Sequence, residues 1–147
     1  MSYFLDTSAL VKIYHEEAGS EPMHRLYRGK DAIYLSDLAR IEFRSMLMRK
    51  HREGALSEKA LHSVLERFDA DVSERYHTIG FTSLVVEETQ QLLETLGRTY
   101  PLRSLDAIQY AFYKICCEED TFFVSADKRL LDAVAFEKTP IMNPEDS

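Results

Sequence analysis

The stretch of sequence that decides the fold is Tyr-Phe-Leu-Asp-Thr-Ser-Ala-Leu-Val-Lys, residues 3–12. It begins as a short apolar run, breaks to Asp6, Thr7 and Ser8, and resumes with apolar residues at helical spacing. This pattern predicts a buried strand that passes directly into a helix. Asp6 then lies at the carboxyl end of the first strand, where open α/β sheets hold their ligands. The alternative is that Asp6, Thr7 or Ser8 only caps the helix.

Length and composition are typical of one soluble globular domain. The 147 residues are 45% apolar and 29% charged, which is enough for a substantial core. No apolar run approaches the roughly 20 residues of a membrane span, and no signal-peptide pattern opens the chain. Cys116 and Cys117 are adjacent and cannot easily bridge each other. We therefore expect a cytoplasmic protein with free thiols.

Strand and helix patterns alternate along the whole chain. Strands are predicted at residues 3–5, 32–35, 76–81, 121–124 and 140–142, with helices between them. The alternation predicts an α/β fold: one domain over residues 1–142, with a mainly parallel sheet of four to five strands and helices on both faces. Residues 143–147 are predicted to form a disordered tail.

Glu42 is an acid at an unusual position in the third predicted helix. On a helical wheel it points in nearly the same direction as a cluster of neighbours and has Met46 on its other side; the cluster is Leu38, Ile41 and Ser45. Arg40 and Arg44 point to nearly the opposite side. A carboxylate held against a core without a cation is costly, and tends to be protonated or bound to something cationic. The alternative is that Glu42 lies at the edge of the apolar stripe and reaches water.

Asp106 lies in the first turn of a helix predicted from Ser104 to Cys117, with Leu105, Ile108 and Phe112 in its core stripe. The helix has almost no charged face, which suggests burial on several sides and makes an acid there unusual. The alternative is that the helix dipole alone favours an acid in the first turn.

The segment Phe-Phe-Val-Ser-Ala-Asp-Lys, residues 122–128, repeats the opening pattern of strand, hydroxyl, acid and helix. Asp127 would therefore follow the fourth strand as Asp6 follows the first. If these strands are neighbours at the switch point of the sheet, both acids face one crevice. The helices that carry Glu42 and Asp106 start at the same edge.

Four carboxylates in one crevice repel one another, since two unit charges about 5 Å apart cost roughly 3 kcal/mol at an effective dielectric of about 20. Such a cluster requires protonation or a bound cation. Oxygen ligands favour Mg²⁺ or Mn²⁺ over zinc. A hydrated metal held by carboxylates, without a nucleophilic triad, indicates phosphodiester hydrolysis by activated water. The net charge of -7 argues against a broadly basic RNA surface, although such a metal site would itself contribute several of the charges.

The chain resembles the PIN-domain family, and in order and length it resembles the VapC-type toxins of toxin–antitoxin pairs. The resemblance rests on Asp-Thr-Ser-Ala-Leu at 6–10, Glu42, Leu-Asp-Ala-Ile at 105–108 and Ser-Ala-Asp at 125–127. It implies an endoribonuclease that depends on Mg²⁺ or Mn²⁺, acts on RNA, forms a homodimer and is inhibited by a cognate antitoxin. The catalytic residues that it implies are Asp6, Glu42, Asp106 and Asp127.

The same resemblance implies positioning hydroxyls near the first and last acids, which Ser8 and Ser125 supply. Ser125 stands where the family often has Thr, and keeps the hydroxyl. We expect Asp6 and Asp106 to hold the principal metal and Asp127 to complete the site or bind a second ion. Glu42 would orient or deprotonate the attacking water.

Arg49 belongs to the most basic stretch, residues 49–52, and lies two helical turns from Glu42. It could position substrate by contacting RNA phosphates, or it could be a solvated residue that interacts with the helix dipole. Two other functions compete with a toxin: a PIN-like RNA-processing nuclease without an antitoxin, and a signalling or binding domain with an acidic pocket and no nuclease activity. A phosphorylated signalling receiver needs paired acids at the first strand, whereas Asp6 stands alone there.

Overall fold

The computed structural model describes residues 1–146, which form one five-stranded sheet. The strands are β1 (Ser2–Leu5), β2 (Ala32–Ser36), β3 (His77–Ile79), β4 (Phe122–Val124) and β5 (Ile141–Met142). Their order is β3-β2-β1-β4-β5, and every neighbouring pair is parallel. The predicted α/β fold is confirmed, and the sheet has the larger of the two predicted strand numbers.

Seven α-helices join the strands in the described part of the chain. They are α1 (Thr7–Tyr14), α2 (Ser20–Arg28), α3 (Asp37–Arg52), α4 (Glu58–Glu74), α5 (Ser83–Thr95), α6 (Ser104–Cys116) and α7 (Lys128–Phe136), and a 3-10 turn follows α5 at Leu96–Arg98. Ser36, Ser57 and Thr82 cap α3, α4 and α5, each accepting a backbone N–H three residues later. Over residues 1–146, none of these helices is both long and apolar enough to cross a membrane.

Alternation along the central strand β1 gives the sheet two buried faces. Leu5 packs into one core with residues of α1 to α4, among them Phe43 and Phe68, whereas Phe4 packs into the other with Tyr110 and residues of α5 to α7. Successive side chains of a strand point to opposite faces, and a parallel sheet covered by helices on both faces buries both. The prediction of helices on both faces is confirmed.

The switch point of the sheet lies between β1 and β4. The chain runs from β1 outward to β2 and β3, then returns to place β4 on the other side of β1. Leu5 is paired with Val124, so the residues that follow, Asp6 and Ser125, leave the sheet side by side. The neighbouring strands on which the predicted crevice depends are therefore present.

The chain beyond β5 runs back towards α1. Pro144 is buried, and Glu145 Oε2 lies 2.8 Å from Nζ of Lys12, a lysine that is only 2% exposed and also contacts Glu17 at 2.9 Å. A buried ammonium is costly without such partners. The predicted disordered tail, residues 143–147, includes Ser147, which lies outside the described residues, and it stays a prediction.

Gly19 offers a test of how closely residue 144 packs against the first helices. Its φ is +85°, and a Cβ there would lie 3.0 Å from the backbone of Pro144, whereas Gly54 has a φ of +84° with open space around it. We expect Gly19→Ala and Gly54→Ala each to lose about 1 kcal/mol from left-handed strain. Gly19→Ala should lose more in urea unfolding, because the backbone of Pro144 must also move. Equal losses would contradict this packing.

Candidate active site

Asp6 is a buried carboxylate at the end of β1. Its backbone N–H donates to Val124 O at 2.9 Å, and it stands at the N-cap position of α1 in an extended conformation. The side chain makes no cap hydrogen bond; instead its Oδ2 accepts the hydroxyls of Ser8 at 2.9 Å and Ser125 at 2.8 Å. The side chain is therefore engaged across the β1–β4 junction and does not cap the helix.

The two serines have their hydroxyl hydrogens directed at Asp6. Ser8 Oγ accepts the backbone N–H of Ala126 at 3.0 Å, and Ser125 Oγ accepts that of Asp127, also at 3.0 Å. Because a backbone N–H can only donate, each serine oxygen acts as an acceptor there and remains free to donate its hydrogen to Asp6. The two residues predicted to supply hydroxyls thus fix the orientation of this carboxylate.

The pKa of Asp6 is raised to about 6. Burial is the largest cause and the charge of Glu42 adds to it, while the hydrogen bonds from Ser125 and Ser8 act in the opposite direction. Removal from water disfavours the charged form of a carboxylate, and two donated hydrogen bonds compensate only in part. In residues 1–146, no lysine, arginine or histidine forms a salt bridge with Asp6. An added cation would therefore relieve an existing electrostatic cost.

Glu42 is half-buried on α3 and is held by two neighbouring side chains. Its Oε1 accepts the hydroxyl of Thr7 at 2.8 Å and Nε2 of Gln109 at 3.2 Å. Thr7 is the residue after Asp6, so Glu42 reaches the carboxyl end of β1, as the sequence predicted. Oε2 of Glu42 accepts no hydrogen bond from the described residues.

Asp106 and Asp127 form a second pair of acids, linked by one arginine. Arg103 Nε lies 3.5 Å from Oδ2 of Asp106, and its Nη2 lies 3.9 Å from Oδ2 of Asp127. Asp127 also caps α7, accepting the N–H groups of Arg129 at 3.0 Å and Leu130 at 3.4 Å through Oδ1. One positive charge therefore reaches both carboxylates, which are 20% and 28% exposed.

The four predicted acids thus gather as two pairs at the carboxyl edge of the sheet. Asp6 is coupled to Glu42, and the hydroxyl of Ser125 links Asp6 to the backbone of Asp127. As the side chains stand, no three His, Cys, Asp or Glu residues of the described chain converge closely enough to hold an ion. A cation bound by Asp106 and Asp127 would compete with Arg103 for the same carboxylate oxygens.

Arg49 lies farther along α3, and its side chain is 69% exposed. Its Nε is 3.4 Å from Glu53 Oε1, and it lines a cavity of about 280 Å³ together with Met46, Lys50 and Ala55. Arg49 is therefore a surface cation outside the hydrogen-bond network of the acids, and its predicted contact with substrate stays a prediction.

Three residues of the network were not predicted: Thr7, Gln109 and Arg103. The predicted core stripe of α6 placed Leu105 inside, whereas Leu105 is 50% exposed and Gln109 is 1% exposed. The available signal for Gln109 was an amide side chain within the otherwise apolar and aromatic stretch 107–113 of α6. Arg103 stands three residues before Asp106, a spacing that would have indicated the contact.

Comparison with known proteins identifies the family. A family model described as the PIN domain matches residues 3–137. The chain belongs to the PIN domain family. The prediction of a PIN-like domain is confirmed. No curated protein sequence matches this PIN domain.

Solved structures similar to this PIN domain include toxin–antitoxin proteins. FitAcB from Neisseria gonorrhoeae is 16% identical, with 100% of both chains covered and a TM-score of 0.75. VapBC2 from Rickettsia felis, bound to a DNA fragment from its promoter, is 15% identical, with 97% of this chain and 98% of that chain covered and a TM-score of 0.66. The sarcin-ricin loop cleaving toxin VapC20 from Mycobacterium tuberculosis is 18% identical, with 89% and 94% covered and a TM-score of 0.66. At these identities the similarity shows a common fold.

Asp6→Asn tests the electrostatic cost of the buried carboxylate. The ordinary pKa is 3.8 and the folded value about 6, so the folded protein binds more protons than the unfolded chain between these values. Wild-type stability is therefore unaffected by Asp6 below pH 4 and falls as the pH rises to 6, by at most about 3 kcal/mol. In EDTA at pH 8, Asp6→Asn should unfold at higher urea than wild type, and the gap should close towards pH 4. The control Asp132→Asn, at an exposed position, should unfold at the same urea concentration as wild type at each pH. A difference between Asp6→Asn and wild type that did not change with pH would contradict the raised pKa of Asp6.

Asp127 has a capping role that can be separated from its charge. Asn caps a helix about as well as Asp, whereas Ala loses roughly 1 kcal/mol. Asp127→Asn should therefore keep near-wild-type stability in urea unfolding, and Asp127→Ala should not. Calorimetric titration with Mn²⁺ should show both variants weakened alike, because both lack the carboxylate. If Asp127→Asn bound Mn²⁺ as tightly as the wild-type protein does, the charge of Asp127 would have no part in ion binding.

Proposed function

We propose that this PIN domain is a metal-dependent endoribonuclease that hydrolyses RNA phosphodiester bonds with water. The observation that carries the proposal is Asp6: a buried carboxylate at the switch point of the sheet, oriented by two serines and lacking a cation among the described residues. Three further acids lie at the same edge. Membership of the PIN domain family supports the same reaction class.

The donor set fits Mg²⁺ or Mn²⁺. Every candidate ligand is an oxygen, which suits hard divalent ions. The guanidinium of Arg103, shared by Asp106 and Asp127, supports the view that these two carboxylates can share one cation. We assign Asp6 and Asp106 to a principal ion, with Asp127 completing the site or binding a second ion. When bound, such an ion polarises phosphoryl oxygens and makes water a stronger nucleophile.

The residues of the chain supply orientation and a proton acceptor. Ser8 and Ser125 hold Asp6 in one orientation, so its remaining oxygen is presented without rearrangement. Glu42 has one oxygen occupied by Thr7 and Gln109, and its Oε2 is assigned to orient the attacking water and take its proton. Arg49 and the displaced Arg103 are assigned to phosphates of the bound strand, which guanidinium groups bind well.

The biological setting that fits best is the toxin of a toxin–antitoxin pair. The similar structures from Rickettsia felis and Neisseria gonorrhoeae support a fold used by such toxins. The described toxin from Mycobacterium tuberculosis cleaves the sarcin-ricin loop, an RNA target. On this proposal the partners are an RNA substrate, a cognate antitoxin protein and a second copy in a homodimer.

Cleavage of total cellular RNA tests the activity. Wild-type protein should cut at discrete sites with Mg²⁺ or Mn²⁺ and stop in excess EDTA, with the ends mapped by sequencing. Asp6→Asn should lower the rate about 100-fold or more, because metal stabilisation of the transition state is worth several kcal/mol. The exposed Asp132→Asn should cut at the wild-type rate.

Four outcomes would count against the proposal. Cutting that persists in EDTA would exclude the metal, and full activity of Asp6→Asn would exclude the assigned site. No cutting of any RNA by folded, metal-loaded protein would favour a binding domain with an acidic pocket. Activity that a cognate antitoxin cannot inhibit would favour an RNA-processing nuclease.

A further inference from the structure

Gln109 connects three of the elements that hold the acids, α1, α3 and α6, although it has no charge of its own. It lies on α6 one turn after Asp106, and its side chain is 1% exposed. It contacts Ser36 at the start of α3, Thr7 at the start of α1, and Glu42. These partners lie 73, 102 and 67 residues away in sequence, so the contacts exist only in the folded chain.

Ser36 determines which way the Gln109 amide faces. Ser36 Oγ accepts the backbone N–H of Ala39 at 3.0 Å as the cap of α3. Its own hydrogen is therefore available to donate to Gln109 Oε1, which lies 2.7 Å away. An amide with its oxygen committed to Ser36 must turn its NH₂ group towards Thr7 and Glu42.

The NH₂ group has two acceptors. Nε2 lies 3.1 Å from Thr7 Oγ1 and 3.2 Å from Glu42 Oε1. The Thr7 hydroxyl accepts a hydrogen bond from Gln109 Nε2 and donates one to Glu42 Oε1 at 2.8 Å. Hydrogen-bond direction is thus fixed from the helix cap to the carboxylate, and two donors converge on one oxygen of Glu42.

We propose that Gln109 is a positioning residue that locks Glu42 through Oε1 and leaves Oε2 for the reacting water. This deepens the function proposed above and rests on it. Gln109 does not touch substrate; it acts through Glu42. A buried amide is costly without partners. Within the described chain, the side chain of Gln109 bonds to Glu42, to Thr7, which also donates to Glu42, and to Ser36, which caps the helix that carries Glu42.

Gln109→Met tests this role because methionine fills a similar volume without the amide. Glu42 would lose one of its two donors and its fixed rotamer, so kcat should fall roughly 10- to 100-fold, the range typical when a residue that orients a ligand or catalytic group is removed. KM for RNA should stay within about threefold. Gln109→Glu keeps an acceptor for Ser36 but places a second carboxylate against Glu42, and kcat should fall at least as far.

Tyr110→Phe is the matched control on the same helix. Tyr110 is also buried, and its hydroxyl contacts Glu137 and Thr139, away from the acids. Both Gln109→Met and Tyr110→Phe should lower the unfolding temperature, but only Gln109→Met should lower kcat. Equal kcat in the two variants would overturn the proposal. So would a loss of kcat/KM in Gln109→Met that comes from a raised KM alone.

NMR of the wild-type protein gives a second measurement that needs neither activity nor a folded Gln109 variant. The side-chain amide protons of Gln109 should exchange slowly with solvent, and Glu42→Leu should shift this resonance while leaving the other side-chain amides in place. Fast exchange in the wild type, or no shift in Glu42→Leu, would overturn the contact. If the wild type cuts no RNA, the proposed nuclease function fails, and this resonance then decides the role of Gln109 in holding Glu42.

Discussion

The structure depends on one constraint: a carboxylate is buried at the junction of the two central strands. The pairing of Leu5 with Val124 sets Asp6 beside Ser125, so the acid leaves the sheet where the strand order reverses. A buried charge needs hydrogen bonds or a cation. The serines supply two hydrogen bonds, yet burial still holds the pKa of Asp6 at about 6. In the folded protein the negative charge of Asp6 is therefore only partly compensated, and a nearby positive charge would stabilise it.

The fold and the positions of two acids could be predicted because their signals are local. The strands predicted at residues 32–35 and 121–124 overlap β2 and β4, because each prediction follows from one local apolar run. The repeated strand–hydroxyl–acid pattern placed Asp6 and Asp127 at equivalent points, and parallel pairing of β1 with β4 brought them together. Local periodicity reports which face of an element is buried, and in this fold that was enough to place the crevice.

The hydrogen-bond network around the acids could not be predicted in the same way. Gln109 meets Glu42 across 67 residues of sequence, and no spacing within α6 encodes that contact. The helical wheel gave a core stripe through Leu105, but docking of α6 on the sheet exposes Leu105 and buries Gln109. A rotation of one helix by part of a turn decides which side chain enters the site, and tertiary packing sets that rotation.

The two pairs of acids differ in what holds them. Asp6 and Glu42 are fixed by hydroxyl and amide donors that are largely buried, so their geometry is set before any ligand arrives. Asp106 and Asp127 share Arg103, which is 70% exposed, and exposed ion pairs contribute little to stability. On the proposed function, exchange of that guanidinium for a divalent ion would cost little, and the freed arginine would remain at the rim, where a phosphate strand would pass. The Asp6–Glu42 pair is therefore held rigidly by neutral donors, whereas the Asp106–Asp127 pair is held by one exposed arginine whose replacement by an ion the proposed function requires.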